Sequence, residues 1–107
     1  AYPQQPVAPE GMEWQPLVNP TGLTAGDELV LRLLFRGEPL AGQGLSIIRR
    51  GTGEYWDLVT GEDGTVTFSI PAPDYYLVRA KREVEEPHGE VALASYEATF
   101  TFIAHRP

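Results

Sequence analysis

Between Thr65 and Ile70 the chain alternates without exception: Val66, Phe68 and Ile70 are apolar, while Thr65, Thr67 and Ser69 are polar. Successive side chains leave a pleated backbone on opposite faces, so a period of two predicts a strand with one face on a core and one in water. The pattern recurs from Asp27 to Arg36, where Leu29, Leu31, Leu33 and Phe35 share a face. There the other face also carries Val30 and Leu34, which predicts burial on both sides near the middle of a sheet. In "YYLVRAKR", Tyr76, Val78 and Ala80 oppose Tyr75, Leu77, Arg79 and Lys81. In "SYEATFTFIA", Tyr96, Ala98, Phe100, Phe102 and Ala104 line one side of a closing strand. Shorter extended runs are "LSIIRR", "EYWDLVT" and "MEWQPL". In the last of these Met12 and Trp14 share a side, and Pro16, which cannot donate to a ladder, marks an edge.

Turn chemistry separates these runs. Gly51 to Gly53 reads as a hairpin turn, Asp63-Gly64 supplies the positive φ of a tight turn, and the prolines of "PAPD" force a connection. The stretch "RGEPLAGQG" is too rich in Gly and Pro to be the interior of an element. Nowhere do apolar residues recur at helical spacing over eleven or more positions. About seven short strands without helices predict an all-β fold, an antiparallel β-sandwich of immunoglobulin-like or transthyretin-like type.

Composition narrows the picture. A chain of 107 residues suits one domain, read as a Pro-rich leader over 1–10 and a single sandwich over 11–107. The leader "AYPQQPVAPE" has no core face and reads as semi-extended, either a terminus left by export or a link from a longer precursor. A net charge of −7 with scattered basic residues argues against nucleic acid, whose phosphates need clustered Lys and Arg. No apolar run approaches the roughly 20 residues that span a bilayer, so membrane insertion is not expected. Without cysteine there is no disulfide, thiolate metal site or thiol nucleophile.

Catalytic chemistry is sparse. The only histidines are His88 and His105, no "GxSxG" elbow is present, and Ser46, Ser69 and Ser95 fall in or beside strands, so an enzyme is not expected. One cluster of possible ligands stands out: "EVEEPHGE" gathers Glu83, Glu85, Glu86, His88 and Glu90. Imidazole with carboxylates could hold nickel, cobalt, copper or zinc, and carboxylates alone calcium, which makes His88, Glu85, Glu86 and Glu90 candidate metal ligands. The same residues also suit a solvated acidic loop that keeps its flanking strands soluble. Strand alternation sends Tyr75 and Tyr76 to opposite faces, and likewise Tyr55 and Trp56, so Tyr75, Tyr76 and Trp56 are candidates for a partner-binding surface.

The stretches "GMEWQPLVNPTGLTAGDELVLRLLFRGEPLAGQGLSI", "GEDGTVTFSIPAPDYYLVRAKR" and "SYEATFTFIA" carry a resemblance over Gly11 to Ala104. They are similar to the C-terminal β-domain of a bacterial family of unassigned function, often labelled periplasmic components of nickel or cobalt uptake systems. The shared features are an opening strand with "NP", a "GD-strand-GxPLAG" unit, a "DG-strand-P" hairpin and an "ATLTF"-like closing strand. The resemblance implies an exported, non-enzymatic sandwich, periplasmic or extracellular, serving as a binding or accessory module beside a membrane transporter complex. Nickel or cobalt would be the metal. Relatives carry a preceding domain with a histidine close to the mature N-terminus. The sequence from Ala1 has neither, so no metal ligand is carried over. The alternative expectation is a structural module that spaces or docks other domains and has no metal role.

Overall fold

The computed structural model describes residues 11–85 and 93–107, with backbone alone at Glu85, Leu93 and Ala94. Among the described residues there are eight strands and no helix: β1 (Met12–Pro16), β2 (Glu28–Phe35), β3 (Glu38–Pro39), β4 (Gly44–Arg49), β5 (Tyr55–Val59), β6 (Thr65–Ser69), β7 (Asp74–Glu85) and β8 (Leu93–Ala104). One sheet has β1 on one edge of β2, with β6 and β3 following each other along its other edge. The second runs β5-β4-β7-β8, and every strand pairing is antiparallel. With the short β3 set aside, β1-β2-β6 facing β5-β4-β7-β8 is the Greek-key arrangement of an immunoglobulin-type sandwich. That topology decides between the two expected architectures.

The core sits between the sheets and is built from the alternating faces. Leu29, Leu31 and Leu33 of β2 pack with Val66 and Phe68 of β6, and with Ile47, Tyr76, Val78 and Phe102 of the other sheet. β2 is central, as its two-sided pattern predicts, and β1 is an edge strand closed by Pro16. Trp14 ties the layers together directly, its indole Nε1 donating to the carbonyl of Ala98 in β8 at 3.1 Å. Tyr76 ends fully buried, stacked on Phe102 at 5.0 Å between centroids, and its hydroxyl donates back to the carbonyl of Ala72 at 2.6 Å. A tyrosine at the start of this strand bonded to backbone a few residues upstream is the tyrosine corner of immunoglobulin-type folds, which pins the crossing from β6 to β7.

The eighth strand departs from the sequence expectation that residues 36–44 form only a connection. Arg36 and Gly37 both adopt positive φ, 55° and 82°, so a two-residue hairpin turns the chain straight back and pairs Glu38 with Phe35. Arg36 is held in that disfavoured conformation with its guanidinium 4.8 Å above the Phe35 ring.

Candidate interaction face

Strand alternation gives the β5-β4-β7-β8 sheet an outer face as well as an inner one. Register aligns that face into rows. Tyr55 of β5 lies opposite Ile48 of β4, Ile48 opposite Leu77 of β7, and Leu77 opposite Thr101 of β8. Tyr75 and Ile103 form the next row towards one end of the sandwich. On the other side of the apolar row, Asp57, Ser46, Arg79 and Thr99 make a polar one. The apolar groups are open to solvent: Tyr55 is 65% exposed, Val59 64%, Ile103 49% and Tyr75 42%. Large apolar side chains grouped on one sheet face, rather than scattered, mark a surface suited to covering.

Among the described residues, concavities on this face include a larger and a smaller one. The larger, about 690 Å³, spreads over β4, β5 and β7 and is bordered by Ser46, Ile48, Tyr55, Asp57, Val59 and Arg79, with Gly44 leaving a dent where other residues would project. The smaller, about 260 Å³, lies near the end of β8 beside Tyr75, Ile103 and His105.

Side-chain hydrogen bonds anchor both ends of the β4-β5 hairpin. At the turn, Asp74 accepts hydrogen bonds from the Arg49 Nε at 2.7 Å, the Gly51 amide at 3.1 Å and the Tyr75 amide at 2.7 Å. The Arg49 hydrogen bond, helped by the Tyr75 and Gly51 amides, holds the Asp74 carboxyl below the usual carboxylate range, and the same bond raises Arg49. A β-carbon at Gly51 would meet the Asp74 carboxylate, so a side chain there would have to displace Asp74 from these bonds. At the other end the buried Thr60 hydroxyl donates to the Leu40 carbonyl at 2.7 Å and accepts from the Gln43 amide at 2.9 Å. The hairpin is thereby clamped to the rest of the sandwich.

The charged groups on the face are matched in part. Arg79 pairs with Glu97 at 2.9 Å, and Ser46 donates to Asp57 at 2.7 Å. The Arg50 guanidinium lies 5.7 Å from the Tyr75 ring centroid.

The sequence-derived candidates separate on this frame. Tyr75 faces out and belongs to the apolar band. Tyr76 is fully buried and is a corner and core residue, so it does not present a surface. Trp56 points inward, packed against Phe68 at 5.1 Å and Tyr76 at 6.5 Å between centroids; its neighbour Tyr55 is the exposed member of that pair. Among the metal candidates, Glu85 closes β7 with its backbone opposite Leu93, and Glu86, His88 and Glu90 lie outside the described residues. Among the described residues no group of three or more His, Asp or Glu side chains is placed to hold a metal ion. Ile48, Val59 and Ile103 were missed as surface residues. Their signal is cross-strand register, which becomes visible only when the strands are aligned.

Fold and face together define an immunoglobulin-type β-sandwich with one sheet exposing an apolar band. The chain belongs to the family described as a domain of unknown function (DUF4198), which matches residues 4–84. Curated proteins and solved structures yield no match. Among the described residues, no helix is long and apolar enough to cross a membrane.

Proposed function

We propose that the domain is an exported, non-enzymatic interaction module that docks a second protein on the outer face of its β5-β4-β7-β8 sheet. The observation that carries this reading is the contiguous outward band in which exposed Tyr55, Tyr75 and Ile103 flank half-buried Ile48 and Leu77, on a face whose hairpin is anchored at both ends. An apolar band with a polar margin resembles the centre and rim of a protein interface. The non-enzymatic part is supported by what the described ionisable groups do: Asp74, Arg49 and Asp63 are engaged in turns and strand ends, where they bear the fold. Export rests on the family resemblance, and the same resemblance makes a membrane transporter complex the partner class.

The test is association in the host. Leu77→Glu places a charge in the middle of the band on a half-buried outward position, and is expected to abolish co-sedimentation with the partner while the thermal melt of the isolated domain stays nearly unchanged. Unchanged association would refute docking on this face.

A second reading, divalent-metal handling, draws on the register of β7 and β8. Their pairing continues to Glu85 opposite Leu93, and Glu85 precedes Glu86, His88 and Glu90 in the sequence. Nickel or cobalt at a hundred times its dissociation constant would stabilise the fold by about 2.7 kcal/mol. Melts unmoved by millimolar nickel, cobalt, zinc and calcium would remove that reading.

A further inference from the structure

We infer that the outer edge of β5, unpaired among the described residues, is a strand-addition site for an extended, basic segment of a different polypeptide. The inference deepens the docking reading and rests on it. Backbone pairing comes first. The hydrogen bonds from Arg49 N to Glu54 O at 2.8 Å and from Thr60 N to Gln43 O at 3.0 Å set the alternation of the β4-β5 ladder. In an antiparallel pair, residues that exchange bonds alternate with residues that do not. Glu54, Trp56, Leu58 and Thr60 therefore turn their peptide groups towards β4, and Tyr55, Asp57 and Val59 turn theirs to the open edge. The side chains of those three residues are also the outward ones, exposed on the sheet face.

The opposite edge of this sheet is treated differently. Where β8 ends, residues 23–25 run alongside it, with His105 N donating to Leu23 O and Ala25 N donating to His105 O, both at 2.9 Å. Further back, the Ala98 carbonyl is taken by Trp14. β5 has no comparable strap among the described residues and carries the two most exposed large apolar side chains, Tyr55 and Val59. An uncovered edge with high strand propensity is a template for another strand.

Charge selects the occupant. Asp57 stands at the centre of the edge, so antiparallel pairing of two copies about that centre would set Asp57 against Asp57. Like charges directly opposite are unfavourable, and registers that avoid the clash pair fewer residues of so short a strand. A partner strand with Lys or Arg opposite Asp57 and apolar residues opposite Tyr55 and Val59 meets the edge with complementary charge. The net charge of −7 steers the same partner towards it.

The experiment uses the whole chain, isotopically labelled, titrated to millimolar with the peptide acetyl-TVTKTVT-amide, with the same peptide carrying Glu in place of Lys, and with a version N-methylated at alternate residues. The expected result is slowed hydrogen exchange and shifted resonances at the Tyr55, Asp57 and Val59 amides with the Lys peptide, and none with the methylated one. The Glu peptide should bind roughly tenfold more weakly, as opposite and like cross-strand pairs predict. Asp57→Lys should reverse that order, and Asp57→Asn, which keeps the side-chain shape, should level it. Unprotected edge amides, equal binding of the Lys and Glu peptides, or retained order in Asp57→Lys would each overturn the inference. If the edge amides stay free while Leu77→Glu still abolishes association in the host, strand addition falls and the docking reading stands. If Leu77→Glu has no effect and the edge amides are still protected, the docking face falls instead and the edge alone is the site.

Discussion

Tyr76→Phe isolates one atom of the corner that sets the crossing from β6 to β7. The ring is fully buried and stays stacked on Phe102, and only the hydroxyl that donates to the Ala72 carbonyl at 2.6 Å is removed. A typical intramolecular hydrogen bond contributes about 0.5–1.5 kcal/mol net, and a partner left unsatisfied costs about 1–3 kcal/mol. Ala72 is half-buried, so water reaches its carbonyl in part and the expected loss is about 1–3 kcal/mol, a Tm lower by about 5–15 °C. Urea or thermal unfolding followed by tryptophan fluorescence measures it, with Tyr75→Phe as a control expected to stay within about 0.5 kcal/mol because that ring is exposed. The same substitution has a pH signature. Burial raises the Tyr76 phenol above its ordinary value near 10, so its contribution is complete below that pH and is lost as pH rises through the folded value. Wild type should therefore lose stability above about pH 10 more steeply than Tyr76→Phe. A loss below about 0.5 kcal/mol, or identical alkaline limbs, would refute the corner as a stabilising device.

Other outcomes follow from the same geometry. Asp74 has its carboxyl lowered chiefly by the Arg49 hydrogen bond, so its contribution is present above the ordinary carboxylate value near 3.9 and fades as pH falls through the folded value; Asp74→Asn should lower the melt at neutral pH and flatten the acid limb of Tm against pH. Gly64 has φ 78°, and a β-carbon there would sit 3.0 Å from both the Leu33 carbonyl oxygen and the Leu40 amide nitrogen. Gly64→Ala should therefore cost more than the roughly 1–2 kcal/mol of a left-handed conformation alone, read by urea unfolding. Trp14→Phe removes the indole donor to Ala98 and part of the packing between β1 and β8, and should cost about 1–3 kcal/mol in the same assay.

Strands were legible where burial repeats locally. Val66, Phe68 and Ile70 take their faces from a six-residue pattern, and Tyr76, Val78 and Ala80 from another, so both survive unchanged in the fold. The order of strands was not legible, because β2 with β6 and β4 with β7 pair over long stretches of chain and nothing local encodes the partner. β3 was hidden for a different reason: it depends on Arg36 at φ 55°, a conformation sequence patterning does not anticipate in a non-glycine residue. The site followed the same division. Alternation showed that one member of each aromatic pair faces out, while the band itself needs Tyr55, Ile48 and Leu77 brought side by side by register. The Arg49 and Asp74 clamp joins residues separated by 25 positions and leaves no local trace.

The docking claim is tested most directly by site-specific photo-cross-linking in the native host. A photoreactive side chain at position 77, half-buried in the outward apolar band, is compared with one at position 67, an exposed site on the outer face of the opposite sheet. The account predicts a discrete cross-linked product from position 77 and none from position 67. Equal labelling from the two positions, or labelling from position 67 alone, would contradict it.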